Sequence, residues 1–378
     1  MNITMFYHSL LSDWNHGNAH FLRGIVTELL KRGHDVKVYE PLNGWSYSNM
    51  TSEYGDEINE DFHRYYPKLE TNFYNLQSAD LEAILSNSDL VIVHEWSEHE
   101  LVKRVGEYKD IFNYKLLFHD THHRVITDKE SMSNYDLSNY DGVLAFGNVI
   151  RDIYLDEKRT EKAWTWHEAA DTRIFYPRPN GTSAGDLVWI GNWGDDERTA
   201  ELYEFLINPV KELKLKAKVY GVRYPDHAIK ALADAGIEYG GWLPNYKAPE
   251  VFAQYKVTVH VPRKPYVEIL RGIPTIRPFE ALACGIPLIS APWKDEEKLF
   301  RSDDFLMVNN GEEMKKALTA ILKDQRRAEE LTVNGRQTIN RKHTCIHRVN
   351  ELEKICKELG IDEEKIYPNE FVHIKHLV

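Results

Sequence analysis

The segment ITMFYHS at residues 3–9 is followed by DWNHGNAH at 13–20 and, one helix length later, by DVKVYEP at 35–41. The first and last segments are rich in the apolar and β-branched residues of buried strands. Between them, apolar residues from Phe21 to Leu29 recur at the spacing of an amphipathic helix. A strand, a glycine-containing loop, a helix and a second strand make a βαβ unit, which predicts a parallel sheet.

The rest of the first half continues this alternation. Short apolar runs bounded by polar or turn residues occur at Leu90–Val93, Lys115–Phe118 and Gly142–Phe146. Stretches of helix length separate these runs, as is typical of α/β proteins with a parallel sheet. The first half is therefore predicted to be an α/β domain.

A second domain is predicted after a linker. The segment YPRPNGTSAGD at 176–186 concentrates Pro, Gly, Ser and Asn, which resist both helix and strand. A strand at 187–190, a GNWGDD turn, a helix from Arg198 to Leu206 and a strand at 215–221 then repeat the opening pattern. We place the first domain at 1–180 and the second, also Rossmann-like, at 181–342.

Composition limits the class of protein. The chain has 378 residues, a formal charge of -12 and no apolar run near the ~18 residues that cross a bilayer. The acidic balance disfavours a general attraction to phosphate polymers. The three cysteines, Cys284, Cys345 and Cys356, are odd in number and far apart, which fits reduced thiols. With no leader-like start, the sequence predicts a soluble protein of the cytoplasm.

Ligands of doubly wound sheets bind beyond the carboxyl ends of strands, so the residues after each predicted strand are candidates. In the first domain these are His16, Gly17 and Asn18 after the first strand, and His94 after the run at 90–93. The glycine lets backbone approach a ligand, and the next helix offers free N–H groups, although an ordinary βα turn has the same pattern.

The segment FHDTHH at 118–123 is the densest titratable cluster in the chain. His119 and Asp120 are candidates there for proton transfer or for hydrogen bonds to a substrate. Metal binding is the weakest interpretation, because adjacent histidines on one loop do not by themselves converge on one ion. No metal site is predicted.

In the second domain, GNWGDDER at 191–198 is neither a GxGxxG motif nor a P-loop, which argues against NAD binding and ATP hydrolysis of the usual kinds. Gly191, Asn192 and Arg198 still suit the binding of a diphosphate. The alternative is that Arg198 is an ordinary surface arginine in contact with solvent. Farther along, GIPTIRPFEALACGIPLISAPW at 272–293 places Glu280 at the beginning of a small-residue helix before a buried strand. Such a carboxylate can accept hydrogen bonds from both hydroxyls of a ribose, or it can merely complement the helix dipole.

The segment PFEALACGIPLISA resembles the nucleotide-binding signature of GT-B glycosyltransferases of the large family-four (group 1) type. Together with FHDTHH and with RKHTCIHRVNEL near the end of the chain, it is similar to the CgeB-like branch, named for the spore maturation protein CgeB. The resemblance implies two Rossmann-like domains facing each other across a cleft. It also implies that the helical segment 343–378 returns to the first domain.

The resemblance further implies roles for individual residues. Glu280 would bind the ribose of a nucleotide sugar, Arg198 the diphosphate, and His119 would reach toward the donor sugar. Gly17 and Asn18 match the first-loop position near the donor phosphate and the acceptor. The nucleotide-binding set is completed by residues that neighbour these in sequence: Gly191, Asn192, Thr275, Arg277 and Phe279.

One position departs from the signature. The family usually has two glutamates eight positions apart, and the earlier position here is Gly272. Contacts to the donor sugar must then come from elsewhere, and Thr275 and Arg277 are the neighbouring candidates. The departure leaves the identity of the donor sugar open.

The implied activity is transfer of a sugar from a nucleotide sugar, with UDP as the expected nucleotide, to a hydroxyl acceptor. Arg198, with Arg263 or Arg277, would stabilise the departing diphosphate without a metal, and no cofactor besides the nucleotide-sugar co-substrate is expected. The family implies retention of anomeric configuration; an inverting enzyme would need a general base, for which Asp120 and His119 are the candidates.

Two rival functions and several acceptors stay open. The rivals are a sugar-nucleotide epimerase of the same fold and a catalytically silent nucleotide-sugar-binding protein. The acceptor can be a glycan, a lipid-linked precursor, a protein, a small molecule or, less favoured, hydroxymethylated DNA. DNA would require a local basic groove, for which the candidates are Lys103, Arg104, Lys115, Arg124 and Arg151.

Overall fold

A computed structural model of the chain describes residues 1–55, 57–179, 183–194 and 197–368. The chain forms two compact units, one made of Met1–His167 and the segment from Cys345 onward, the other of Glu168–Thr344. The predicted boundary at 180/181 lies outside the described residues. The predicted boundary at 342/343 is two residues before the junction between Thr344 and Cys345.

The first unit is built on a seven-stranded, wholly parallel sheet in the order β3-β2-β1-β4-β5-β6-β7. Its strands are β1 (Asn2–Phe6), β2 (Asp35–Pro41), β3 (Asn72–Tyr74), β4 (Leu90–His94), β5 (Lys115–Asp120), β6 (Gly142–Ala145) and β7 (Ala163–Thr165). Its helices are α1 (Ala19–Lys31), α2 (Trp45–Tyr54), α3 (Glu57–Tyr65), α4 (Leu81–Leu85), α5 (His99–Phe112), α6 (Arg124–Thr127), α7 (Lys129–Ser133) and α8 (Asn148–Asp156), with α17 (Cys345–Glu358) and α18 (Glu363–Ile366) after the second unit.

The second unit has a six-stranded parallel sheet in the order β10-β9-β8-β11-β12-β13. Its strands are β8 (Gly185–Ile190), β9 (Ala217–Tyr220), β10 (Ile237–Tyr239), β11 (Tyr255–His260), β12 (Leu288–Ser290) and β13 (Leu306–Met307). Its helices are α9 (Thr199–Leu202), α10 (Asn208–Leu213), α11 (Asp226–Asp234), α12 (Ala248–Phe252), α13 (Lys264–Glu268), α14 (Ile276–Cys284), α15 (Gly311–Lys323) and α16 (Gln325–Lys342).

The predicted α/β class is confirmed in both units. The central strand β4 is buried at all five positions, as expected for a parallel strand covered on both faces. In each sheet the chain crosses over beside the first strand, so that β1 lies between β2 and β4, and β8 between β9 and β11. The carboxyl ends of these strands are where such folds bind ligands.

Two local predictions need correction. The helix expected from Arg198 to Leu206 begins at Thr199 and passes through a π-helical turn at Tyr203–Ile207 before α10. The helix that carries Glu280 begins at Ile276, so this carboxylate lies in its second turn rather than at its start. In the described part of the chain, none of the helices is both long and apolar enough to span a membrane.

Candidate functional site

Arg198 lies at the carboxyl edge of the second sheet, directly before α9. Its guanidinium donates to the carbonyl oxygens of Val261 at 2.7 Å and of Asn192. Burial and the nearby Arg263 lower the pKa of Arg198 to about 9. These contacts hold a cation in place between the loops that follow β8 and β11, where an anion would be stabilised.

Gly194 brings Arg198 and Arg263 together. Its φ of +92° is a conformation that side-chain-bearing residues rarely adopt, and a Cβ there would lie 3.3 Å from Nε of Arg198 and 3.4 Å from Nε of Arg263. Arg263 also contacts Glu197 at 3.3 Å. The turn after β8 therefore packs against both guanidinium groups. The adjacent Asp195 and Asp196 of the predicted loop lie outside the described residues.

Glu280 is fully buried on α14 and accepts two hydrogen bonds within the second unit. Asn245 donates from Nδ2 to Oε1 at 3.0 Å, and Arg277, one turn earlier on the helix, pairs with Oε2. These two contacts hold the carboxylate at a fixed place on α14. The sequence prediction brought together Glu280 and Arg277 but missed Asn245.

Thr275 and Gly272 shape the loop before α14. Thr275 has φ 60° and ψ 177°, a strained conformation for a β-branched residue. Gly272 has φ +98°, and a Cβ there would lie 2.9 Å from Cγ of Glu297. A glutamate at position 272 would therefore be strained by the backbone conformation and would require the Glu297 side chain to shift.

Three predicted donor-site residues have packing roles in the structure. Phe279 is buried against the rings of Phe300 and His343, with centroids 5.4 Å away in each case, and its contact with a nucleotide stays a prediction. A Cβ on Gly191 would lie 2.8 Å from the indole of Trp189. The side chain of Asn192 accepts from the backbone N–H of Val222 at 2.9 Å and thus fixes the turn.

Glu168 and His260 belong to this region and were missed by the sequence analysis. Both carboxyl oxygens of Glu168 are buried without a hydrogen-bond partner in the described chain. Burial and the charge of Glu280 raise the pKa of Glu168 well above its ordinary value. His260 ends β11; burial and the positive charges of Arg198 and Arg277 lower its pKa to about 3.

In the first unit, Asn18 connects two loops at the carboxyl edge of the sheet. Its Nδ2 donates to the carbonyl of Thr121 at 3.2 Å, so the loop after β1 is tied to the loop after β5. Gly17 beside it is exposed. His16 is buried, and its Nε2 has no hydrogen-bond partner among residues 1–55 or the other described segments. The structure thus groups the predicted first-loop residues beside FHDTHH.

His94 and Glu95 converge on Thr121 from the neighbouring strand. His94 Nε2 lies 3.0 Å from the Thr121 hydroxyl, and Glu95 Oε1 accepts from the Thr121 backbone N–H at 3.1 Å. Burial and the nearby His119 lower the pKa of His94 well below its usual value, so its imidazole is neutral. Glu95 was missed by the sequence analysis.

His119 and Asp120 are fully buried at the end of β5. Neither ring nitrogen of His119 has a hydrogen-bond partner among the described residues, and burial lowers its pKa to about 3. Asp120 accepts from the Tyr154 hydroxyl at 2.8 Å and from the His122 backbone N–H at 3.1 Å. Because both of its oxygens accept bonds within the unit, Asp120 is better suited to holding the FHDTHH loop than to acting as a base.

The five candidate cations for a basic groove lie on α5, β5, α6 and α8 of the first unit. Lys115 begins β5, whereas Arg124 lies beyond the other end of this strand and contacts Glu95 and Asp128. Arg151 pairs with Asp152 at 2.6 Å. Lys103 lies 3.9 Å from Glu107, and Arg104 donates to the carbonyl of Leu76. Four of the five candidates, all but Lys115, thus have a contact within the first unit.

The described residues contain no group of three or more His, Cys, Asp or Glu side chains arranged to hold a metal ion. FHDTHH places the buried imidazole of His119, whose pKa burial lowers to about 3, beside the hydrogen-bonded carboxyl group of Asp120. In the second unit the edge of the sheet gathers three arginines beside a buried glutamate.

The two doubly wound parallel sheets define a GT-B fold, the two-domain α/β architecture of many glycosyltransferases. Residues 198–354 match a family model described as glycosyl transferase-like. No curated protein sequence matches the chain.

Solved structures share the fold over nearly their whole length at low identity. Sucrose-phosphate synthase from Thermosynechococcus elongatus is 14% identical with a TM-score of 0.65, and the match covers 95% of this chain and 99% of that one. Anabaena HepE in complex with UDP and glucose is 12% identical with a TM-score of 0.68, covering 95% and 100%. An alpha-glucosyltransferase in complex with UDP and a DNA containing an HMU base is 10% identical with a TM-score of 0.69, covering 94% and 99%.

Proposed function

We propose that the chain is a glycosyltransferase that moves a sugar from a UDP-sugar to a hydroxyl acceptor. The observation that carries the proposal is the arrangement of Arg198, Arg263 and Arg277 beside the buried Glu280 at the carboxyl edge of the second sheet. The glycosyl transferase-like match over 198–354 covers all four residues. The similar structures with UDP support UDP as the nucleotide.

In this proposal Glu280 accepts hydrogen bonds from the ribose hydroxyls, and Asn245 fixes the orientation of its carboxylate. Arg277, which pairs with Glu280 in the ligand-free chain, turns toward the diphosphate, and Arg198 and Arg263 contact the phosphate oxygens. Breaking the glycosidic bond leaves both bonding electrons on the diphosphate oxygen. The guanidinium groups of Arg198 and Arg263, which are held in place by their contacts in the second unit, stabilise this developing charge.

Retention of configuration and independence of metal are further parts of the proposal. Three arginines can supply the positive charge that a divalent ion would otherwise contribute. Retention rests on the resemblance of PFEALACGIPLISA to family-four enzymes, in which the leaving phosphate assists the acceptor hydroxyl. Location in the cytoplasm stays a prediction from the sequence.

Calorimetric titration tests the donor site. UDP, GDP and UDP-sugars are titrated into the wild type, Glu280→Ala and Glu280→Gln, with magnesium or with EDTA. We expect one nucleotide to bind equally in both buffers, and Glu280→Ala to weaken it by about a hundredfold, as for loss of charged hydrogen bonds to a ligand. Glu330→Ala, an exposed glutamate on α16 that pairs with Arg326, is the matched control. No binding of any nucleotide overturns the proposal.

A transfer assay separates the proposal from its rivals. The protein is incubated with the bound UDP-sugar and candidate acceptors in EDTA, and the product is followed by proton NMR. A new glycoside with the anomeric configuration of the donor supports a retaining transferase. An isomerised nucleotide sugar without acceptor would indicate an epimerase, and binding without turnover a silent binding protein.

A further inference from the structure

Trp96 is an exposed indole beside the neutral cluster of the first unit. It follows β4 by two residues and keeps 42% of its surface exposed, although its neighbours His94 and Glu95 are fully buried. The mechanism proposed above does not use it. Ligand sites are lined mainly by hydrophobic and aromatic side chains with a few placed polar groups.

The indole is held in a fixed orientation. The guanidinium of Arg124 lies over it, 4.3 Å from the ring centroid. Arg124 is itself fixed, because it donates to the Glu95 carbonyl at 3.1 Å and to the Ser131 hydroxyl at 2.8 Å. A ring stacked on an anchored guanidinium loses little side-chain entropy when a ligand binds.

Polar groups surround the ring. The His8 ring lies 5.9 Å and the His122 ring 5.4 Å from the Trp96 ring. His8 in turn contacts His16 at 5.1 Å, and the buried Nε2 of His16 has no hydrogen-bond partner in the described part of the chain. Imidazole nitrogens at such a site both donate to and accept from hydroxyl groups.

The site is largely uncharged near neutral pH. Burial lowers the pKa of His8 to about 4 and that of His16 well below its ordinary value. The guanidinium of Arg124 pairs with the carboxylate of Asp128 at 3.3 Å, while burial and the nearby Asp120 raise the pKa of the Glu95 carboxyl well above its ordinary value. Neutral imidazoles beside an indole suit a ligand with many hydroxyls and no charge, whereas a nucleic acid would need a track of free cations.

We infer that Trp96 is the stacking platform for a carbohydrate acceptor, and that the acceptor of this protein is a neutral sugar ring. The apolar C–H face of the ring packs on the indole while its hydroxyls bond to the imidazoles of His8 and His16. This inference rests on the proposed function and names the acceptor class for it.

The test compares Trp96→Ala, Trp96→Phe and a matched control. Phe73→Ala truncates an aromatic side chain of the same unit that is 39% exposed and packs on Tyr47 rather than beside the histidines. Transfer from the UDP-sugar is measured to a panel of neutral mono- and disaccharide glycosides and to a DNA duplex containing 5-hydroxymethyluracil. Circular dichroism and thermal unfolding verify that each variant is folded, and calorimetry with UDP reports on the donor site.

We expect a neutral glycoside to be the acceptor and Trp96→Ala to raise its KM about tenfold with little change in kcat, the pattern of lost uniform binding. Trp96→Phe should raise KM about threefold, because a smaller ring keeps part of the stacking. Phe73→Ala should match the wild type. An unchanged KM in Trp96→Ala, transfer to the DNA alone, or transfer to no member of the panel overturns the inference. UDP binding in the same preparations shows whether the proposed donor site has failed as well.

Discussion

Glu168 is a buried carboxyl group whose ionisation opposes folding. Its pKa is raised well above the ordinary value of 4.5, chiefly by burial and then by the charge of Glu280. Below pH 4.5 the group is protonated in both folded and unfolded chains and has no effect on stability. As the pH rises toward the folded-state pKa, the unfolded chain alone loses the proton, so stability falls.

We therefore expect Glu168→Gln, measured without ligand, to raise the melting temperature at pH 7 to 8 and to leave it nearly unchanged at pH 4. Thermal unfolding followed by circular dichroism across this range gives the difference between variant and wild type. Glu330→Gln, at an exposed position, should show no such trend. A difference that stays constant from pH 4 to pH 8 would contradict the assignment.

Among single residues, the sequence predicted those that lie in a recognisable local segment. Glu280 and Arg277 lie on one helical turn, and Arg198 directly follows a glycine turn, so the local segments marked them as candidates and the resemblance to family-four enzymes gave them their roles. Asn245 is 35 residues from Glu280 and reaches it only through the fold. Glu168 likewise has no local signal, because its importance comes from burial beside a carboxylate far away in sequence.

Helix α14 carries Arg277 and Glu280, and its position depends on close packing against α16. A Cβ on Gly335 of α16 would lie 2.6 Å from the Leu282 side chain on α14 and 3.1 Å from the Asp304 carbonyl oxygen. The side chain can move, but the backbone oxygen gives way less easily. Gly335 is thus a contact point between the two helices.

Gly335→Ala has two opposite effects on the free energy of unfolding. The helix propensity of alanine adds about 1 kcal/mol of stability, whereas overpacking costs about 1–3 kcal/mol. We expect net destabilisation of about 1 kcal/mol and severalfold weaker UDP binding, because α14 is displaced. Urea unfolding and UDP calorimetry measure the two effects.

Val333→Ala is the matched control for Gly335→Ala. Val333 lies on the same helix and is 50% exposed, so its truncation should leave UDP affinity unchanged. Weaker UDP binding in both variants, or in neither, would contradict the packing argument.

Whole elements were predictable where burial gives a continuous apolar run. The runs at 90–93 and 187–190 lie in the buried strands β4 and β8 for this reason. The edge strands β3, β7 and β10 were missed because each has three residues and is partly exposed. The π-helical turn at Tyr203–Ile207 has no signal in apolar spacing.

On the scale of the whole chain, helix α17 completes the first unit by packing on α1. Glu353 of α17 contacts Arg32 at 2.7 Å and His34 at 3.7 Å, and its side chain is 5% exposed. Arg32 keeps a second partner in Glu28, 3.1 Å away. The contact between the two helices therefore includes a largely buried ion pair.

Glu353→Ala should destabilise the first unit by about 1–2 kcal/mol, less than a fully buried pair because Arg32 retains Glu28. Hydrogen–deuterium exchange should then be faster at the backbone amides of α1. Lys354→Ala, at an exposed position of the same helix, should change exchange little. Equal exchange in α1 for wild type and Glu353→Ala would contradict this account.

The division of the chain also has a consequence for biosynthesis. The second unit, Glu168–Thr344, is inserted into the first, so Arg32 and Glu353 meet across 321 positions of sequence. At about 5–20 residues per second, a ribosome needs roughly 10–35 s to synthesise the insertion. During this interval α1 has emerged without α17 to cover it, while the second unit has all of its own strands once residue 307 has been made. The unit with the arginine cluster can thus mature first on the nascent chain, and the unit that begins the sequence is the last to be completed.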